Sequence, residues 1–171
     1  GGHNGREETT TMVLTPAVVG AVRIPVITAG GIANGRQMLA AMVMGAEGVQ
    51  LGSRFVASEE ASSHFDFKKR VVALEEGDTI LAMKQLTPVR IIKTKFYHEM
   101  QAAEWKGATP DELKALLGRA RAKRGMFEGN LDEGELEIGQ TSVLLHDILP
   151  AGNILNNLWA EFREALANPL K

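Results

Sequence analysis

Three short segments hold the residues whose types and spacing suit chemistry: Gly1-Gly2-His3-Asn4-Gly5, Thr28-Ala29-Gly30-Gly31-Ile32-Ala33-Asn34-Gly35, and Gln50-Leu51-Gly52-Ser53-Arg54-Phe55. Glycines let a backbone approach a phosphate closely, and N–H groups at a following helix N-terminus supply donors and a favourable dipole. The second and third segments each follow a short apolar run that reads as a strand, so both loops are expected on one face of a sheet, at its strand C-termini. A phosphate ester would be held there by Gly30, Gly31 and Gly52, with the Ser53 hydroxyl adding a contact. The plainer reading is that these glycines only turn the chain. Two such loops on consecutive strands, about twenty positions apart, favour phosphate binding, as in barrels where the last two strand loops form that site.

His3 belongs to a loop expected on the same face, and its ordinary pKa suits proton transfer near neutrality. A lone loop histidine is otherwise a hydrogen-bonded surface group, and the context of the two loops is what raises its interest. His64, His98 and His146 have no partner at ligand spacing and no HExxH occurs, so no metal is expected. Arg119, Arg121, Lys123 and Arg124 read as an exposed helical face, with a pyridine nucleotide phosphate as the alternative use. The acidic residues of 128–137 read as a solvated loop.

The elements that must position these groups are legible from periodicity. Thr9, Thr10 and Thr11 offer N-cap hydroxyls to a helix over 12–22, with Pro16 near its start. Residues 24–29 are β-branched without alternation, as in a parallel strand buried on both faces. A helix over 35–44 follows, carrying Met38, Leu39, Met42 and Val43 on one face with Gly45 beyond its end. A strand over 48–51 completes a parallel crossover. Beyond it we expect a helix over 62–76, a strand and irregular turn over 80–95, and a helix over 110–124 opened by the capping box Thr109-Pro110-Asp111-Glu112. A long connection over 125–139 precedes a terminal amphipathic helix, whose stripe of Ile154, Leu155, Leu158, Trp159, Phe162 and Leu166 needs a partner surface.

Composition narrows the rest. The chain has 171 residues, 44% of them hydrophobic, with 19 basic against 21 acidic side chains and a net charge of -2, which argues against a nucleic-acid partner. No cysteine is present, so disulfides, thiolate metal sites and cysteine nucleophiles are excluded. No apolar run approaches the ~20 residues that span a bilayer, and there is no secretory pattern at the start; a cytoplasmic protein without membrane association is expected. The chain opens inside a glycine-rich turn without methionine, so an element upstream is expected to be missing.

With its three segments in this order and spacing, the sequence resembles the nitronate monooxygenase family, which includes the FMN-dependent enoyl-acyl-carrier-protein reductases and NADH:quinone reductases. Gly139-Gln140-Thr141-Ser142 resembles that family's late Gly-Gln segment. The resemblance implies the C-terminal portion of an FMN-binding (β/α)8 TIM barrel with a mainly helical C-terminal segment. Residues 1–76 would be the last βα units with the phosphate loops, and 77–171 a helical extension packed on the barrel. It implies Gly1 and Gly2 beside the flavin ring, Gly30, Gly31, Gln50, Leu51, Gly52 and Ser53 around the phosphate, and His3 as catalytic base. Oxidation of alkyl nitronates with O2 is the activity it implies. The alternatives are reduction of an enoyl thioester or a quinone with NAD(P)H, and a non-catalytic chain that only associates. A small-molecule substrate is expected throughout, and a homodimer is a further expectation.

Overall fold

Short β-branched runs bounded by glycine and proline place the first sheet. The computed structural model describes residues 9–169, and within them β1 (Ile27–Ala29) and β2 (Gly48–Gln50) pair in parallel, with Thr28 opposite Val49 and Ala29 opposite Gln50. The strand begins later than the apolar run does because Pro25 has no N–H to give a ladder. It is also not buried on both faces: Thr28 is buried, whereas Ile27 is 56% exposed. Side chains alternate along a strand, so Ala29 and Gln50 share the open face and Thr28 and Val49 the helix-covered one.

Two helices cover that second face. Helix α1 (Thr11–Ala21) follows Thr10, whose extended backbone ends the loop but whose side chain makes no capping bond. Thr11 and Thr15 instead point at the sheet. The Thr11 hydroxyl donates to the Gly30 carbonyl at 2.9 Å, and the Thr15 and Thr28 hydroxyls meet at 3.1 Å in a buried pair. Helix α2 (Gly35–Val43) makes the crossover and packs Ala41 against Ile32 and Ala46. Gly45, at φ 98°, turns the chain out of it in the left-handed region that favours glycine.

Past β2, helix α3 (Ser53–Val56) makes one turn and α4 (Phe65–Val72) is shorter than the periodicity suggests, because His64 caps it by accepting the Asp66 N–H. Next comes an antiparallel hairpin of β3 (Thr79–Ala82) and β4 (Val89–Ile92), where the sequence had indicated one strand and a turn. Helix α5 (Lys95–Trp105), capped by Thr94, occupies a stretch for which the sequence pattern indicates no element.

The helix expected over 110–124 is two helices. The capping box holds α6 (Pro110–Leu117) as expected, but Gly118 at φ 66° and Ala120 at φ 57° break the chain before α7 (Arg121–Met126). Arg121 accounts for the break. Its guanidinium donates to the Leu116 and Leu117 carbonyls freed at the end of α6, and lies 4.4 Å from the Phe96 ring. Arg121 therefore faces inward rather than joining an exposed basic face.

The segment after α7 is packed rather than solvated. Ile92 N–H donates to the Leu136 carbonyl and Ile138 N–H to the Arg90 carbonyl, so residues 136–138 line the free edge of β4. Leu136 and Ile138 enter a core with Phe67, Val71, Leu74 and Ile92, while Glu135 is buried. After a short 3-10 turn, Gln140–Leu144, helix α8 (Ala151–Ala167) buries Ile154, Leu158, Phe162 and Ala165. Its partner surface is α2, and Gly35 permits the contact: a Cβ there would lie 2.2 Å from the Phe162 backbone nitrogen.

Candidate functional site

The two glycine loops leave the sheet from paired positions, Ala29 on β1 and Gln50 on β2, so they lie side by side at the strand C-termini. Gly30 and Gly31 have φ of 91° and 76°, which only glycine adopts at little cost. That backbone is fixed from below by the Thr11 hydroxyl on the Gly30 carbonyl.

The available donors can be counted. At the start of α2, three amides are already engaged: Ala33 N–H with Gln37 Oε1 at 2.7 Å, Gly35 N–H with Glu161 Oε2 at 2.8 Å, and Gln37 N–H with Asn34 Oδ1 at 2.9 Å. Glu161 also places a carboxylate at the positive end of the helix. Among the described residues no acceptor meets the N–H of Gly31 or of Ile32. Nor does one meet the N–H of Asn34 or of Arg36, so free donors run from the double-glycine turn into the first turn of the helix.

The second loop is open on the same side. A Cβ added to Gly52 would find nothing within 4 Å. Ser53 Oγ accepts the Gly139 N–H at 3.1 Å, which leaves its own hydroxyl hydrogen to donate. The late Gly-Gln segment thus meets the Gly52-Ser53 loop directly. Arg54 is buried and pairs with the Asp147 carboxylate while donating to its carbonyl at 3.2 Å, which ties α3 to the segment before α8.

Gln50 is exposed at the end of β2, and together with half-buried Leu51 it borders an apolar cavity of about 730 Å³ bounded by Met38, Phe55, Leu155 and Trp159. Gly31, Gly52 and Ser53 are thus gathered at one edge, whereas Gln50 and Leu51 also face this second space. His3, Gly1 and Gly2 lie outside the described residues. Thr11, Gln37, Glu161 and Gly139 were not singled out as site residues in the sequence. The signal for Thr11 was present as a threonine run, but a cap and a sheet contact look alike there. Among the described residues no group of three His, Asp or Glu side chains could hold a metal, and no helix is long and apolar enough to cross a membrane.

Known proteins resemble this chain in sequence and fold. The family model for nitronate monooxygenase matches residues 1–161. A "Probable nitronate monooxygenase" of Staphylococcus saprophyticus is 33% identical over 97% of this chain and 49% of its own length. Among solved structures, FabK from Thermotoga maritima superimposes with a TM-score of 0.90 and 38% identity, covering 99% of this chain and 53% of that one. The nitroalkane oxidase from Streptomyces ansochromogenes superimposes at 0.75 with 28% identity, covering 98% and 50%. The chain spans about half the length of the relatives it matches. Matched over nearly all of its sequence, and carrying the glycine loops at the ends of two parallel strands, the chain belongs to the nitronate monooxygenase family.

Proposed function

We propose that the protein is an FMN-dependent oxidoreductase that oxidises alkyl nitronates with O2. The observation that carries this is the pair of unclaimed amides at Gly31 and Ile32, held in the left-handed turn beside the open Gly52-Ser53 loop. On this reading residues 1–76 are the last βα units of a (β/α)8 barrel and 77–171 a helical extension packed on it.

The residues fit a phosphate monoester on chemical grounds. Gly31 and Ile32 N–H groups and the Ser53 hydroxyl are donors, no carboxylate of the two loops opposes them, and Glu161 is occupied at Gly35. These groups would hold the FMN phosphate, with Gly30 and Gly52 keeping the approach clear of side chains and Gln50 and Leu51 bordering the cofactor. Bound FMN supplies two-electron redox chemistry that no side chain of this sequence offers. Gly1 and Gly2 would leave room at the ring, and His3 would accept the α-proton of a neutral nitroalkane at an imidazole nitrogen.

The test is the visible spectrum of the purified protein, followed by anaerobic addition of a nitronate or of NADH. A flavin band bleached by nitronate alone supports the proposal. Bleaching by NADH moves the assignment to the second reading, an NAD(P)H-dependent reductase of enoyl thioesters or quinones, which the sequence resemblance also implies. Absence of a flavin band in protein refolded with FMN overturns the cofactor assignment.

A further inference from the structure

A second cavity lies away from the glycine loops, between the β3–β4 hairpin, α6 and residues 135–137. It has a volume of about 500 Å³, within the roughly 300–1,000 Å³ typical of small-molecule sites. Met83, Leu86, Val89, Pro110 and Leu117 form an apolar wall, and Gln85, Thr87, Lys114, Glu135 and Glu137 supply polar groups.

Alternation along 135–138 explains how two carboxylates came to this place. Leu136 and Ile138 point into the core beside Phe67 and Ile92, which sends Glu135 and Glu137 to the opposite side of the sheet. Glu135 is only 8% exposed, and among the described residues no hydrogen bond or ion pair reaches its carboxylate. The nearest cation, Arg121, has turned its donors to the carbonyls of Leu116, Leu117 and Glu133. Glu135 is thus largely covered yet opens onto the cavity it lines, and a carboxylate desolvated in a cleft without a counter-ion marks a place where a ligand can supply one.

We propose that this cavity binds a small organic amine as its ammonium ion, with the Glu135 carboxylate as counter-ion and the hydrocarbon body against Met83, Leu86, Val89 and Leu117. Burial, and then the neighbouring Glu137, push the Glu135 carboxyl up to about 7, with Arg121 opposing. The other charged groups lining the cavity are Glu137 and Lys114, the latter 3.6 Å from Asp111 on α6. An ammonium entering the cavity therefore selects ionised Glu135 and displaces its proton to solvent.

The experiment is calorimetric titration of the purified protein with n-hexylammonium and, separately, with neutral 1-hexanol. Affinity for the ammonium should rise about tenfold between pH 6 and pH 8, because the binding-competent ionised form grows in that proportion. Hexanol should bind more weakly with no pH dependence. Glu135→Gln should lower ammonium affinity at pH 8 by at least tenfold while a melting curve shows it folded. No ammonium binding at either pH, equal affinity for hexanol, or an unchanged Glu135→Gln variant would each overturn the proposal. The pH profile of the unsubstituted protein keeps the test valid if the variant misfolds. Loss of flavin chemistry elsewhere in the protein would leave these readouts untouched.

Discussion

The backbone N–H of Gly35 donates to Glu161 Oε2 at 2.8 Å, joining the first residue of α2 to the last helix across 126 positions of sequence. The bond is charge-assisted and sits at a helix N-terminus, but Glu161 is exposed, so water moderates it. We expect Glu161→Ala to destabilise the protein by about 1 kcal/mol. That corresponds to a lowering of the melting temperature by roughly 2–4 °C for a chain of this size. Thermal unfolding followed by circular dichroism measures it, and an unchanged midpoint would show that the contact is not maintained in solution.

The double-glycine turn makes a separable prediction. Gly31 has φ 76° and a Cβ there would lie 3.8 Å from Thr11 Oγ1, so the space is adequate and the obstacle to a side chain is backbone conformation. Gly31→Val should therefore cost about 1–2 kcal/mol in stability and, beyond that, block approach of a phosphate to the Gly31 and Ile32 amides. Flavin retained after gel filtration, measured by absorbance, should fall sharply. Full cofactor occupancy in a folded variant would remove these amides from the site.

Much of this region was legible in the sequence. The strands expected over 24–29 and 48–51 and the helix between them are present, and they follow from short apolar runs, an apolar helix face and a C-terminal glycine, all local signals. The shorter β1 and α4 have local causes, Pro25 and the His64 cap, whereas the larger misses come from tertiary contact overriding local pattern. The break at Gly118 depends on Arg121 reaching back to the carbonyls of α6 and on Phe96 lying beneath it. Neither the spacing of apolar residues nor the capping box at Thr109 carries that information. The acidic residues of 128–137 read as a solvated loop because of their charge, yet Glu135 and Glu137 alternate with Leu136 and Ile138, as a segment on the edge of β4 requires. At the site, Gly139 reaching Ser53 is a contact over 86 positions that no local spacing announces.

The buried Glu135 predicts a pH dependence of stability with a definite sign. Its carboxyl is raised from 4.5 to about 7 in the folded protein. The folded state thus holds the proton more tightly than the unfolded one does. Stability associated with this group is fully present below pH 4.5 and is lost as pH rises through 7, by on the order of 3 kcal/mol for a shift of this size. Glu135→Gln, neutral at every pH, removes that loss. Urea midpoints of the two proteins should coincide near pH 4.5 and diverge by pH 8, with the variant the more stable; a constant difference across the range would contradict the assignment.

His3 is the proposed proton acceptor. In the flavin-loaded protein, His3→Ala should lower turnover with a neutral nitroalkane by roughly 10²–10⁴-fold, while FMN stays bound through the glycine loops. Turnover of the preformed nitronate anion should fall far less, since its α-proton is already gone. Stopped-flow reduction of the flavin by each substrate separates the two, and equal losses would mean that His3 acts on binding rather than on the proton.

The contact between Gly139 and Ser53 allows a test by compensation. Gly139 has φ -70° and ψ 150°, a conformation any residue adopts, so glycine is not required by the backbone there. The constraint is the hydroxyl alone: a Cβ would lie 2.5 Å from Ser53 Oγ but an ordinary 3.8 Å from Ser53 Cβ, so Ser53 must either stay overpacked or rotate away and give up the Gly139 N–H. Gly139→Ala should therefore destabilise the protein by about 1–3 kcal/mol through overpacking. Ser53→Ala alone should cost about 1 kcal/mol, by leaving the Gly139 amide without its acceptor. In the double variant the clash is absent because the hydroxyl is gone, so the combined loss should be smaller than the sum by roughly 0.5–3 kcal/mol. Denaturant titrations of the four proteins close this cycle. Strict additivity would mean that the late Gly-Gln segment does not rest on the Gly52-Ser53 loop. A coupling of the expected sign would establish that the Gly139 segment and the Gly52-Ser53 loop share one packed contact, so that displacing either moves the other.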